Sequence, residues 1–469
     1  MFRAVMTRDP QQLYSERLTR YVTAMRRGVP DCVPIRPFAA EFAARHAGLT
    51  CQEVTHDYHK AFDAVYRCAQ DYDWDAVVAN MVYVWTGLTQ AMGLRYYAIP
   101  GIDVPPDVGF QYCEPSLERA FMHREEYDRL IDDPTRFLLD VWLPRVSTEF
   151  EDSYRSKLAL VKGGMAMLSY FGGFGEAVGR LKNEYGTVSA ISGMLKAPLD
   201  ILADKLRGYV GLAYDLKEIP EKVLAACQAL QPHLEYVAIS GLDPQHNIPI
   251  PIWMHRGCVP FISYELFDTI YWPTIRPIFD AIWARGNQVL LYAEGSWEPH
   301  LDRIAELPEG SVIYHVDKGS MDVVHRALGG RFCLSGGMPN DVLAYGTPED
   351  VRGCCRKLID TAAADGGYIM DASAIMQNDA TVENVRAMTE FTREYGVYRS
   401  PSSSTPAAGR PVAPAATAEL TVRPGVCYPW EEKLHTLHPI SGDPVLARRI
   451  WEEVDGLAYT FAWHTLLGF

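Results

Sequence analysis

The chain lacks the features of several protein classes. Its 469 residues include ten cysteines, but none are spaced as CxxC and only Cys354 and Cys355 are adjacent. This usage argues for reduced thiols, some of them possible metal ligands, rather than for a disulfide framework. The start has no apolar signal-peptide core, and apolar runs such as Ala76 to Trp85 are too short to span a bilayer. We therefore expect a cytoplasmic protein without a membrane segment.

Basic residues are outnumbered. Lys and Arg total 44 against 59 Asp and Glu, a net charge of −15. Such a chain repels phosphate backbones, so we expect no nucleic-acid partner. The hydrophobic share of 48% and the charged share of 22% are those of an ordinary soluble protein. The length allows one large α/β domain or two to three smaller ones.

The clearest pattern is a series of strand–helix units. From about Ser189, short apolar runs alternate with helical segments, which is typical of a parallel sheet. With at least two weaker units upstream, the total is near eight and predicts an α/β fold, a (β/α)8 TIM barrel, over residues 151–398. A doubly wound open sheet is the alternative, although no GxGxxG follows a strand. The five clearest strands are Ile248–Gly257, Asn287–Gly295, Ser311–Asp317, Arg331–Gly337 and Tyr368–Ser373.

The flanking regions differ from the barrel. Residues 1–150 predict a helical elaboration packed on it, and residues 399–424 form a Pro/Ala-rich linker. The aromatic arm of residues 425–469 must bury its rings against this barrel or a neighbouring subunit. A homo-oligomer joined through this arm is therefore one expectation. The glycine-rich segment Lys162–Gly175 carries no fingerprint and is expected to be a mobile lid or a close-packed turn.

Three residues at successive strand ends suggest a metal site. Glu294, His315 and Cys333 lie about one strand–helix repeat apart. Active sites of such barrels lie at the carboxyl ends of the strands, where neighbouring ends would bring these side chains together. One carboxylate, one imidazole and one thiolate fit a catalytic Zn²⁺ with an open fourth position. Taken singly, Cys333 also fits a buried thiol and His315 a hydrogen-bonded core histidine. Glu294 is harder to explain in this way, because a carboxylate directly after VLLYA would be buried unless it is paired or coordinated.

Other strand ends carry further candidates. Asp371 and His255 are the catalytic candidates, as acid/base and as substrate-orienting groups; a loop cap and a salt-bridged rim are the alternatives. Asp317 is expected to hold His315, to replace it as ligand or to contact substrate. Neither a P-loop, a GxSxG elbow nor an HExxH motif is present. The aromatic residues expected to line a substrate pocket are Trp253, Tyr292 and Trp297.

Two phrases resemble a known family. GGMPNDVLAYGTPEDVRGCCRKLID and GGYIMDASAIMQNDATVENVRAMTEFTREYGVY resemble the C-terminal half of the uroporphyrinogen decarboxylase superfamily, and the likeness covers Ile248 to Tyr398. It implies a (β/α)8 barrel. Decarboxylases of the superfamily carry an MRQAGRY motif, which the corresponding stretch DCVPIRPFAAEFAARHAGLT lacks. Thiol-activating methyltransferases carry HxCG where this chain has Tyr292–Ala293–Glu294–Gly295.

Among the other branches of the superfamily, this chain resembles the O-demethylating methyltransferases. The resemblance implies that Glu294, His315 and Cys333 bind zinc. It also implies transfer of a methyl group from a methoxylated, often aromatic, small molecule to cobalamin on a separate corrinoid protein. One alternative is a metal-free decarboxylase of a small or tetrapyrrole acid. Another is a non-catalytic barrel that assembles through its C-terminal arm.

Overall fold

Short parallel strands alternate with helices along most of the chain. The computed structural model describes residues 8–78, 85–401 and 423–468. Within these ranges the strands are β1 (Ala76–Val77), β2 (Tyr97–Ala98), β3 (Gln111–Tyr112), β4 (Val188–Ser189), β5 (Leu195–Lys196), β6 (Ile250–Met254), β7 (Val289–Ser296), β8 (Val312–Lys318), β9 (Cys333–Gly336) and β10 (Tyr368–Ile369).

Helices surround the strands and form the N-terminal and C-terminal regions. Those before β4 are α1 (Pro10–Met25), α2 (Ala40–Ala47), α3 (Cys51–His56), α4 (Tyr58–Asp71), α5 (Thr86–Met92), α6 (Tyr127–Asp132), α7 (Pro134–Phe137), α8 (Leu143–Val146) and α9 (Ser153–Tyr185). Those after β4 are α10 (Pro198–Ile201), α11 (Tyr209–Glu218), α12 (Pro220–Ser240), α13 (Tyr264–Leu266), α14 (Trp272–Trp283), α15 (Leu301–Ile304), α16 (Met321–Val324), α17 (Asn340–Tyr345), α18 (Pro348–Ala362), α19 (Val382–Tyr395), α20 (Trp430–Leu434) and α21 (Pro444–Leu467). Short π-helical turns cover Leu138–Trp142, Leu202–Arg207, Phe267–Tyr271 and His325–Gly329, and 3-10 turns cover Leu117–Arg119, Arg124–Glu126, Thr148–Glu151 and Glu298–His300.

The central sheet follows the order of the chain. Six parallel strands are hydrogen-bonded in the order β10-β9-β8-β7-β6-β5, while β1 pairs with β4 and β2 with β3. A doubly wound sheet would reverse direction at a switch point, and these six strands show no reversal. The α/β fold predicted from the sequence is thus confirmed, with each of the five clearest predicted strands present at its place.

The ladders do not close into a continuous barrel, but single backbone contacts span the gaps. Beside β5 and β6, the Ser192 N–H donates to the Pro249 carbonyl at 2.9 Å. On the other side, Ile35 forms a parallel bridge with Met370, and its carbonyl accepts the Asp75 N–H at 2.9 Å. The sheet therefore draws on segments from both sides of the domain boundary expected at position 150.

One hydrophobic core joins residues 1–150 to the rest of the chain. It extends from Tyr21 in α1 to Leu467 in α21. All five residues of β6 are buried, as expected for a strand covered on both faces. At the start of α18, Thr347 and Asp350 form a capping box. Among the described residues, no helix is both long and apolar enough to cross a membrane.

The C-terminal arm packs against its own chain at one end. Trp463 is fully buried in α21, stacks on His233 with ring centroids 4.8 Å apart and donates its indole N–H to Thr135 Oγ1 at 3.1 Å. The sequence left open whether this arm packs on its own barrel or on a neighbouring subunit. Its final helical turns pack on their own chain. Most of the predicted linker, residues 402–422, lies outside the described residues, as do residues 79–84 of the apolar run Ala76 to Trp85.

The glycine-rich segment Lys162–Gly175 is neither a lid nor a turn. It lies inside α9, a helix of 33 residues. Large side chains such as Tyr170 recur at helical spacing and enter the core. A Cβ at Gly163 would overlap the Met92 side chain, so this glycine permits a close helix approach. The helical spacing of the large apolar residues therefore predicts the structure of this segment better than its glycine content does.

Candidate active site

A buried polar cluster lies where the parallel strands end. Its members are Arg36, His315, Ser335 and Asp371, none of them more than 1% exposed. Sheet register places His315 of β8 beside Ser335 of β9, and Asp371 closely follows β10. Arg36 Nη2 lies 3.1 Å from Asp371 Oδ2 and donates to Ser335 Oγ at 3.1 Å. These four residues are called the Arg36–Asp371 cluster below.

His315 is held by both ring nitrogens. Its Nε2 lies 3.0 Å from the Ser373 carbonyl oxygen, which can only accept, so Nε2 carries the hydrogen. Its Nδ1 then accepts from Ser335 Oγ at 3.0 Å or Arg36 Nη2 at 3.4 Å. Burial, together with the Arg36 guanidinium, holds the pKa of His315 well below its usual range. The imidazole is therefore neutral.

Asp371 can hold a proton near neutral pH. Burial raises the pKa of Asp371 to about 7, although Arg36 and the backbone N–H groups of Phe38 and Ala372 act in the opposite direction. Those N–H groups donate to Oδ1 at 3.3 Å and 2.8 Å. The cluster thus combines a permanent positive charge with a carboxyl group able to donate a proton.

Aromatic rings lie against this cluster. Tyr292 stacks on His315 with centroids 4.2 Å apart, and Trp253 stacks on Tyr292 at 5.1 Å. Phe38 meets Trp253 edge-on at 5.5 Å. Trp253 and Phe38 retain slight exposure, 7% and 8%, whereas Tyr292 is fully buried. In this group of three rings, the aromatic wall, the exposed parts of Trp253 and Phe38 form a small apolar surface near charged groups.

His255 belongs to a second cluster, at the ends of β5 and β6. Its Nδ1 lies 3.0 Å from Asp204 Oδ2, which Lys196 Nζ approaches at 3.2 Å. Burial alone would raise the pKa of Asp204, but His255 and Lys196 hold it well below its usual range. Asp204 in turn raises the pKa of His255 against the effect of burial. These contacts engage His255 with Asp204, so the two predicted catalytic residues lie in different clusters.

The three predicted zinc ligands do not come together. Cys333 pairs with Ile313, two positions before His315, so it lies one layer deeper in the sheet. Its Sγ contacts the Leu334 carbonyl, and burial raises its thiol pKa far above the usual range. Glu294 lies within the register shift between β7 and β8, in the unpaired stretch between Ala293 and Ser296. Across the described ranges, no group of three His, Cys, Asp or Glu residues is placed to hold a metal ion.

Zinc bound by this set therefore does not fit the arrangement of side chains. Both nitrogens of His315 are already engaged with Ser335 and Ser373. Three ligands in one metal shell must lie within a few ångströms of a common point. Spacing along the sequence predicted the strands that carry these three residues. The residues lie at different levels along their strands, so their side chains do not meet.

Two other predicted substrate residues have structural partners. Trp297 packs among Phe267, Tyr271 and His300, with centroids about 6 Å apart, and donates to the Glu294 carbonyl at 2.8 Å. Asp317 accepts the Gly295 N–H at 2.8 Å. Trp297 thus lies in a separate aromatic group, whereas Trp253 and Tyr292 contact the Arg36–Asp371 cluster.

Glu41 in α2 is a further buried acid. It is 3% exposed, and neither carboxylate oxygen has a hydrogen-bond partner among the described residues. A Cβ at Gly109 would press on its Oε1, so the loop around Gly109 covers it. Burial raises the pKa of Glu41 to about 7. Sequence periodicity could not single it out, since charged residues at this spacing usually face solvent.

Glu41→Gln is expected to raise the free energy of unfolding above that of the wild type, and by more at pH 8 than at pH 5. The pKa rises from 4.5 to about 7 on folding, so stability is lost as pH increases between these values and the loss persists above pH 7. A shift of this size corresponds to about 3 kcal/mol. Urea unfolding of both proteins at the two pH values would measure it. Exposed Glu349→Gln is the control, and an equal effect of Glu41→Gln at both pH values would contradict the expectation.

Sequence reasoning missed Arg36 and Ser335. Arg36 lies in the stretch DCVPIRPF, where a charged residue follows an apolar run, and this signal was available. Ser335 offered no signal, because serine in a strand is common. Its position two residues after Cys333 places it in the layer of His315.

Comparison with known proteins agrees with the barrel-like geometry. Residues 165–395 match the family model described as uroporphyrinogen decarboxylase (URO-D). This match supports the superfamily that the sequence phrases resemble, and that family has a TIM-barrel fold. No curated protein matches the chain significantly.

A solved structure shares the fold. It is a methyltransferase from Methanosarcina mazei, with a TM-score of 0.50 and 14% sequence identity. The alignment covers 81% of this chain and 98% of that protein. At this identity the likeness establishes the fold alone.

Proposed function

We propose that this protein is a methyltransferase that removes a methyl group from a methoxylated aromatic compound and passes it to a corrinoid protein. The URO-D match and the fold shared with a methyltransferase support an enzyme of this kind. The observation that carries the proposal is the Arg36–Asp371 cluster beside the aromatic wall. It combines a proton donor, a positive charge and a small apolar surface at the end of the barrel where active sites lie.

The chemistry requires help for the leaving group. When the bond between methyl carbon and oxygen breaks, its electron pair stays on the oxygen, and a phenolate is a strongly basic leaving group. Protonated Asp371 would deliver its proton to that oxygen, and Arg36 would stabilise the negative charge as it develops. The corrinoid of the partner protein would supply the electron pair that accepts the methyl group. No step in this scheme passes through zinc.

The aromatic wall would orient the donor. Phe38 and Trp253 are 8% and 7% exposed near the cluster, whereas Tyr292 is fully buried. A methoxylated ring stacked on Trp253 would keep water from the reacting oxygen and hold the methyl group toward the open barrel end. The positive groups of the second cluster, Lys196, His255 and Arg256, all lie against Asp204, which disfavours a substrate with several carboxylates.

Trp253→Leu is expected to lower kcat/KM for the aromatic donor by about tenfold, the loss of one stacking contact. The assay combines a panel of methoxylated arenes with a reduced corrinoid protein. It follows the released phenol and the absorbance of the methylated corrinoid. Trp297→Leu is the matched control, since that tryptophan packs away from the cluster, and it should change kcat/KM by less than about twofold. Absence of methyl transfer across the panel, or release of carbon dioxide from a carboxylic acid substrate instead, would overturn the proposal.

A further inference from the structure

The outer face of α9 is apolar although it is not covered. Five large side chains on this face are between 36% and 73% exposed: Tyr154, Leu158, Val161, Met165 and Leu168. The opposite face is buried in the core through residues such as Met167 and Tyr170. A helix that is hydrophobic on both faces is normally covered on both. The first half of α9 therefore presents a surface suited to a partner.

The spacing on this face is that of a coiled coil. Its residues recur at alternating intervals of four and three positions, and the pattern continues from Leu168 to Gly172, Gly175 and Gly179. A repeat of 3.5 residues keeps one seam facing a partner helix. From Tyr154 to Gly175 the seam is about 32 Å long.

Large and small residues divide the seam in two. The large side chains lie in the N-terminal half, and the glycines of the C-terminal half have open space where a Cβ would lie. In an antiparallel pair of α9 helices, each N-terminal half meets the C-terminal half of the other copy. Leu158 then lies opposite Gly175, and Val161 opposite Gly172. Large side chains facing glycines allow close packing.

The flanking charges favour the same orientation. Arg155, Lys162 and Glu176 occupy equivalent positions on one flank of the seam, and Lys157 lies on the other flank. An antiparallel pair brings like flanks together, which places Arg155 opposite Glu176. A parallel pair would instead place Lys157 against Lys162, a repulsive contact.

The ion pairs within one chain leave this contact possible. Arg155 binds Glu149 at 2.6 Å, and its guanidinium has further N–H donors. Glu176 makes no ion pair within the described part of the chain, and it is exposed. Charge complementarity between two copies of α9 is thus available without breaking an existing bond.

We propose that a second copy of this chain docks on the outer face of α9, with the two helices antiparallel about a twofold axis between Met165 and Leu168. The interface is isologous, so each copy contributes the same seam and the assembly closes at two subunits. It differs from the oligomer through the C-terminal arm that the sequence suggested. It is also independent of the proposed catalytic activity.

Another exposed apolar face supplies the matched control. In α21, the side chains of Leu446, Ile450, Val454 and Leu457 are between 54% and 58% exposed. Val161→Glu or Met165→Glu in α9 is expected to convert a dimer into a monomer at micromolar concentration, and Ile450→Glu in α21 to leave the dimer intact. Sedimentation velocity measures the mass, and circular dichroism with an unfolding midpoint verifies that each variant is folded. A monomeric wild type, or a dimer lost only in the α21 variant, would overturn the proposal.

A charge exchange tests the orientation. Arg155→Glu and Glu176→Arg should each weaken dimerisation by about tenfold, because each leaves like charges opposed, and the double variant should restore it. Lys162→Glu should leave the antiparallel dimer nearly unchanged, because Lys162 then faces the uncharged Ser169 of the other copy. Stronger dimerisation by Lys162→Glu would indicate a parallel pair, in which it relieves the repulsion with Lys157, and would contradict the proposed geometry. Loss of corrinoid-protein binding in Val161→Glu without any dimer in the wild type would assign the face to that partner and equally sink the proposal.

Discussion

Asp371→Asn is expected to reduce the rate of methyl transfer by about 10²–10⁴-fold, the usual contribution of a general acid. Asparagine keeps an oxygen that can accept the N–H groups of Phe38 and Ala372, which now bind Oδ1. It has no acidic proton for the leaving oxygen. The wild-type rate should also fall as pH rises above about 7, because Asp371 then loses its proton. This pH dependence should be absent in the variant.

Single-turnover rates between pH 5.5 and 8.5 would measure both effects. Asp215→Asn is a suitable control, since Asp215 is also a buried partner of an arginine, Arg207, at 2.6 Å. It lies in α11, away from the strand ends, so its loss should cost stability without changing the pH profile. An Asp371→Asn enzyme with the wild-type rate and pH profile would remove Asp371 from the proposed mechanism.

Arg36→Met is expected to lower the free energy of unfolding by about 3–5 kcal/mol at pH 8, the range for breaking a buried ion pair. Arg36 and its partner Asp371 both have side chains that are 1% exposed. Without Arg36, ionised Asp371 would be left buried with no opposite charge. Below pH 7, Asp371 takes up a proton, so the destabilisation should shrink as pH falls. Arg36→Met/Asp371→Asn should recover most of the loss, since it removes both charges.

Urea denaturation of the single and double variants at pH 6 and pH 8 would test this coupling. Arg180→Met removes an exposed pair with Glu184 and should cost less than about 1 kcal/mol. If the double variant were as unstable as Arg36→Met, the loss would come from packing of the Arg36 side chain rather than from the charge on Asp371.

The succession of strands could be predicted because it depends on local pattern. Apolar runs such as those that became β6 and β7 are bounded by polar residues and glycines, and buried parallel strands require such runs. The same local logic explains the capping of α18 by Thr347. It failed for the segment at 162–175, where glycine content suggested a break although the large residues kept helical spacing.

The contents of the site depend on contacts between distant segments. Sequence spacing predicted that His315 and Asp371 lie at strand ends, and they do lie together in one cluster. Arg36, which binds Asp371, comes from the other end of the chain, and no local pattern connects them. Whether Cys333 reaches the layer of His315 depends on sheet register, because a shift of two residues moves a side chain to another layer. Local patterning thus sufficed for the α/β barrel fold and the strand ends, whereas side-chain partners and the exposed face of α9 followed from long-range packing.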